Sequence, residues 1–135
     1  FGIWRANRES YEFVKDSAKK LCEAGVPLLA GTDYGAVCAF SGELAEEIHR
    51  LTLIGMSNAD AVRSATIRAA ELLGISGDSG SIEKGKRADM ILVEGNPLED
   101  ITALSRVRMI SKDGRWYRPG GDTTTPFWNS DYEFI

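Results

Sequence analysis

The sequence has 135 residues, 43% of them apolar and 27% charged, and its 16 Lys and Arg against 20 Asp and Glu give a net charge of −4. That length allows one domain with a hydrophobic core, and the composition is that of a folded chain rather than a disordered one. The acidic balance argues against a nucleic-acid surface, and no apolar stretch approaches the ~20 residues that span a bilayer.

The opening Phe1-Gly2-Ile3-Trp4-Arg5 lacks the charged leader and apolar block of a signal peptide. It also lacks an initiator Met, so a start further upstream is expected. Residues 7–24 read as an amphipathic helix, with Tyr11, Val14, Ala18, Leu21 and Cys22 at three- and four-residue steps. Arg5, Arg8, Lys15, Lys19 and Lys20 gather near the start and read as the wet face of that helix. Gly25 stands where a left-handed cap would end it. The run Val26-Pro27-Leu28-Leu29-Ala30-Gly31 is continuously apolar, as in a strand covered on both faces within a parallel sheet. Pro27 is tolerable there because it falls at the strand's start.

A loop from Thr32 to Gly42 follows, and then a second helix is expected over Glu43 to Ile54, with Leu44, Ile48, Leu51 and Ile54 inward. A third helix is expected from Ser57 to Leu73, opened by a capping box between Ser57 and Asp60 and stopped by Gly74. Its inward face would hold Ala61, Val62, Ala65, Ala69 and Leu72 or Leu73. Past Gly74 the chain becomes turn-rich up to Arg87. Strands are then expected at residues 88–93 and 107–110, and Lys112-Asp113-Gly114-Arg115 signals a hairpin leading into Trp116 and Tyr117. The end, from Pro119, is rich in Gly, Thr and Pro and then aromatic, with Phe127, Trp128, Tyr132 and Phe134. A single parallel-type strand cannot form a sheet alone, so the elements read as a portion of a larger α/β fold.

Asp33 is the leading chemical candidate. It follows a buried strand directly, and in parallel α/β folds ligands sit where strand ends open into loops. A carboxylate there can hold a metal or take a proton from water; the bland alternative is an Asp that caps its own loop. His49, the only histidine, lies mid-helix beside Glu46, Glu47 and Arg50, and it reads as a surface or half-buried residue rather than a metal ligand. One histidine also cannot supply the His-rich set that zinc sites use. Cys38 could line a pocket, yet no basic partner marks it as an activated thiolate. Cys22 and Cys38 form no CxxC pattern and read as reduced residues of a cytoplasmic protein, with secretion after loss of a leader left open. Glu43, Glu46 and Glu47 read as a solvated face, with Glu43 near the loop. Gly80 to Lys86 fits the start of a phosphate-binding loop, but Arg87 stands where Ser or Thr is required and a strand follows. The phosphate reading is rejected.

Taken in order, Gly31-Thr32-Asp33, Ser64-Ala65-Thr66 with Ala69-Ala70 and Leu73-Gly74, Gly80 through Asp89, Asn96-Pro97-Leu98-Glu99-Asp100-Ile101, and Asp113-Gly114 resemble the amidohydrolase superfamily. The resemblance runs over roughly residues 20–118 and is nearest to the imidazolonepropionase-like and Xaa-Pro dipeptidase-like branch. It implies the C-terminal end of a (β/α)8 TIM-type barrel, with residues 1–74 as its last helix–strand–helix units. Residues 75–118 would be return strands of a small composite β-sandwich, and 119–135 a tail without an assigned role. It further implies that Asp33 binds a divalent metal, zinc above all, with one or two ions in the complete enzyme. Asp33 would serve as general base for a metal-activated water that attacks an amide or lactam carbonyl.

The family's His-x-His pair, bridging Lys or Glu and two further His have no counterpart here, so the isolated chain is expected to be inactive. The substrate would be a small amide or dipeptide-like molecule, with no nucleic acid and no membrane as partner; homo-oligomerisation stays open. Two other readings stand beside this one: an Xaa-Pro-type peptidase or ester or phosphoester hydrolase on the same fold, and a non-catalytic interaction module. Tyr34 and the loop to Gly42 would form one wall of a pocket.

Overall fold

The computed structural model describes residues 8–33, 43–119 and 133–134, with the backbone alone at 8–11 and 133–134. Helix α1 spans Arg8–Glu23, within a residue of the span that the apolar spacing predicts. It ends at Gly25, whose φ of 73° fits a left-handed cap. There the N–H of Val26 donates to the Leu21 carbonyl and that of Gly25 to the Cys22 carbonyl, satisfying groups the helix leaves open. The expected inward face of α1 is not buried: Val14 and Leu21 are exposed, and Ala18 and Cys22 are only half-buried.

Residues 26–33 belong to no strand of the described sheet. The strand expected over Val26 to Gly31 is not formed among the described residues, because a strand exists only through hydrogen bonds to a neighbour and no described strand pairs with this run. Leu28, Leu29 and Ala30 are half-buried, and Ala30 packs against a buried cluster of Ile48, Ala61 and Ile101.

Helix α2 is Leu44–Leu53, with Ile48 buried as expected and Leu44 exposed against expectation. The third helix is a further correction. Residues 57–73 form two helices, α3 (Asn58–Ser64) and α4 (Ile67–Leu72), with the chain breaking at Thr66 (φ −124°, ψ −104°). The cause is local. The buried Ser64 hydroxyl donates to the Ala61 carbonyl at 2.6 Å and the Thr66 hydroxyl to that of Val62 at 2.9 Å. Such back-bonding competes with the backbone ladder and favours a bend. Leu72 and Leu73, one of which was expected inward, are both exposed. Ser57 caps α3 as expected, accepting from the Asp60 N–H at 3.1 Å.

The sheet is a four-stranded antiparallel meander of β1 (Met90–Val93), β2 (Val107–Lys112), β3 (Arg115–Arg118) and β4 (Glu133–Phe134), in that order. Lys112 pairs with Arg115, which leaves Asp113-Gly114 as a two-residue turn. Their φ values of 51° and 79° are those of the type I′ turn that an Asp-Gly pair favours between twisted strands. A 3-10 helix at Ile101–Ser105, not anticipated from sequence, carries Ile101 and Ala103 into the interior. Asp100 caps it, accepting from the Thr102 N–H at 3.0 Å and from its hydroxyl at 2.5 Å. The short length and absent 3.6-residue repeat of this turn hid it. No helix among the described residues is long and apolar enough to cross a membrane.

Candidate functional site

Asp33 is reached through an anchored approach. Ala30 packs half-buried against the core cluster, Thr32 is half-buried and Asp33 emerges exposed. Its φ is 50°, a left-handed conformation that Asp tolerates better than most residues. Its carboxylate forms no hydrogen bond or ion pair with another described residue. The alternative reading, an Asp that caps its own loop, concerns residues 34–42, which lie outside the described residues. No described atom lies within 4 Å of where a Cβ on Gly31 would sit.

The other candidates are not brought to Asp33. His49 lies half-buried on α2 with its Nδ1 3.8 Å from Glu46 Oε2. Glu46 and Glu47 clasp Arg50, at 3.2 and 2.9 Å, as a solvated helix face should. Glu43 is half-buried immediately before α2. Tyr34 and Cys38 lie outside the described residues, as does most of the aromatic tail. Among the described residues no group of three metal-ligating side chains comes together.

A groove of about 740 Å³ runs beside Val26 and Leu28, with Met56, Leu72 and the Asp60–Arg68 ion pair on its other wall. It borders residues 25–29, and Asp33 is not among its lining residues.

The remaining motifs have structural work. Gly80 presses against α4, where a Cβ would lie 2.6 Å from the Cβ of Ala70 and 3.0 Å from the Cα of Ile67. Lys86 Nζ donates to Ser81 Oγ at 2.6 Å and lies 3.3 Å from Glu83, so the lysine of the would-be phosphate loop is already engaged. Arg87 Nε donates to Asp78 at 2.7 Å, and Asp89 accepts the N–H of Asp113 at 2.7 Å. That backbone hydrogen bond, with Lys112 beside it, holds the Asp89 carboxyl below the ordinary carboxylate range. In the Asn96–Ile101 stretch, Asn96 Oδ1 accepts from the Leu98 N–H at 3.1 Å, and the Leu98 carbonyl accepts from Asn58 Nδ2 at 3.2 Å. The Asn58–Leu98 hydrogen bond ties the sheet half to α3.

The sequence pattern of the amidohydrolase family matches residues 7–117. The chain belongs to the amidohydrolase family. It is 35% identical over 78 residues to an imidazolonepropionase of Rubrobacter xylanophilus, covering 57% of this chain and 19% of that protein. Over 75 residues it is 43% identical to adenine deaminase 2 of Rhizobium etli, covering 56% of this chain and 11% of that one. Among solved structures it resembles a Xaa-Pro dipeptidase with methionine bound in its active site. That likeness has 41% identity and a TM-score of 0.71, over 78% of this chain and 25% of the other. The chain thus spans a quarter or less of the length of these relatives.

Proposed function

We propose that residues 1–135 are the C-terminal part of a metal-dependent hydrolase of carbon–nitrogen bonds in which Asp33 is both metal ligand and general base. One observation carries the reading: an exposed carboxylate, unengaged among the described residues, emerges from a core-anchored apolar run in a chain of the amidohydrolase family. Such a carboxylate fits a divalent cation, which takes oxygen donors readily. It is one ligand, and the remaining donors are assigned to polypeptide beyond this stretch. The metal, zinc by the family resemblance and one or two ions in number, supplies Lewis-acid activation of water when bound. Asp33 accepts a proton as the amide or lactam carbonyl is attacked and returns it to the leaving nitrogen.

The barrel is part of the same proposal. Val26 is 43% exposed on a run whose composition suits a strand covered on both faces, so neighbouring parallel strands fit beside it. Strand β1 stands at the sheet edge with Ile91 and Leu92 on opposite faces, each about half exposed. An apolar edge of this kind suits a further strand and a covering layer, as in a composite β-sandwich.

Small amides, lactams and dipeptides are the proposed substrates, and the 41% identity to a Xaa-Pro dipeptidase favours a peptidase of that type as the second reading. The test is a panel of lactams, Xaa-Pro dipeptides and esters offered to the family-length polypeptide before and after chelation. Hydrolysis that is lost on chelation and restored by zinc is expected. A metal-loaded protein inert to the whole panel would favour the non-catalytic module instead.

A further inference from the structure

The stretch that carries Asp33 is tied down on both sides at one place. Ile48, on the helix that follows the loop, forms a buried cluster with Ala61 and Ile101, and Ala30, just before Asp33, packs against that cluster. Ile48, Ala61 and Ile101 are 6%, 0% and 7% exposed, so this is interior packing, where a lost methylene is felt. Three of these four residues lie in the helical half. Ile101 comes from the sheet half, on a 3-10 helix fixed from outside by Asp100, whose carboxylate accepts from Thr102 and from Arg106 Nη2 at 2.8 Å.

We propose that Ile101 is a positioning residue for Asp33: the sheet half, through the capped 3-10 helix, closes the interior layer that sets where the Asp33 segment lies. This rests on the reading of Asp33 given above. A packed side chain is well suited to the task, since reacting groups displaced by about 1 Å can lose of the order of a hundredfold in rate. In this role the Asn96–Ile101 motif acts on the site without touching it.

The test is made in the family-length, metal-loaded polypeptide, comparing Ile101→Val and Ile101→Ala with Ile54→Val and Ile54→Ala. Ile54 is equally buried, at 7%, and lies outside the cluster. Turnover and KM, bound metal per chain, and hydrogen exchange of the amides at 30–33 are measured alongside thermal stability. The Ile101 variants are expected to lower kcat by about tenfold or more with little change in KM. They are also expected to speed exchange at 30–33 and to release metal more readily, whereas the Ile54 variants lose similar stability without these changes. Ile101→Val keeps the test decisive if Ile101→Ala does not fold. Equal effects at Ile54 and Ile101, or unchanged kcat and exchange in Ile101→Val, would overturn the inference. Asp33→Asn separates the two claims: if it remains active, the reading of Asp33 fails; if it is inactive while Ile101→Val behaves as Ile54→Val, only the positioning role fails.

Discussion

Ala70 and Gly80 meet so closely that a Cβ on Gly80 would lie 2.6 Å from the Cβ of Ala70, with the backbone of Ile67 at 3.0 Å. The contact joins α4 to the turn that opens the sheet half, and it can form only between two very small residues. Gly80 also has a φ of 93°, outside the range that side chains accept readily. Gly80→Ala is therefore expected to cost about 2–3 kcal/mol, from overpacking and backbone strain together. Gly77→Ala, where a Cβ meets nothing within 4 Å and φ is ordinary, should stay within about 0.5 kcal/mol of the parent. Urea unfolding of both variants checks this; equal losses would contradict it.

Acid should unlock the 3-10 helix. Hydrogen bonds from Arg106 first, and then from Thr102, bring the Asp100 carboxyl down from 3.8 to about 2. Asp60 is lowered as well, chiefly by the Ser57 hydroxyl, and Asp89 chiefly by the Asp113 N–H. A folded-state value below the unfolded one means that the stabilisation is fully present above about pH 4 and is lost as pH falls toward 2. Stability measured across this window should fall, and Asp100→Asn should be less stable at neutral pH yet lose less between pH 4 and 2. Parallel curves for parent and variant would exclude Asp100 as a source of the acid sensitivity.

Residues 1–135 alone should bind zinc weakly and hydrolyse nothing in the substrate panel. One carboxylate without further donors is a poor metal site, and the described residues bring no three ligands together. Equilibrium dialysis with zinc is the check. Tight binding that disappears in Asp33→Asn would mean that a complete site exists within this stretch.

Where a feature depends on neighbouring residues, the sequence was readable. The glycine that ends α1, the Ser57 cap and the Asp113-Gly114 turn each follow from a few adjacent side chains and agree with the structure. The break at Thr66 was missed because helical spacing continues through it, and only the hydroxyls of Ser64 and Thr66 betray the bend. The exposure of Val14, Leu72 and Leu73 was missed because apolar spacing tells which face seeks cover, not whether cover is at hand. Asp33 stands out in the sequence by its place after an apolar run. The packing of Ala30 into the cluster with Ile101 does not, since nothing local connects a residue near 30 with a turn near residue 100.

The central claim concerns Asp33, and Asp33→Asn in the family-length polypeptide tests it most directly. Asn keeps the shape of the side chain while removing its charge and its capacity to take a proton. Turnover of the best substrate should fall by about 10²–10⁴-fold, with less metal retained per chain and the thermal midpoint unchanged. Turnover within about twofold of the parent, with metal content intact, would contradict the account.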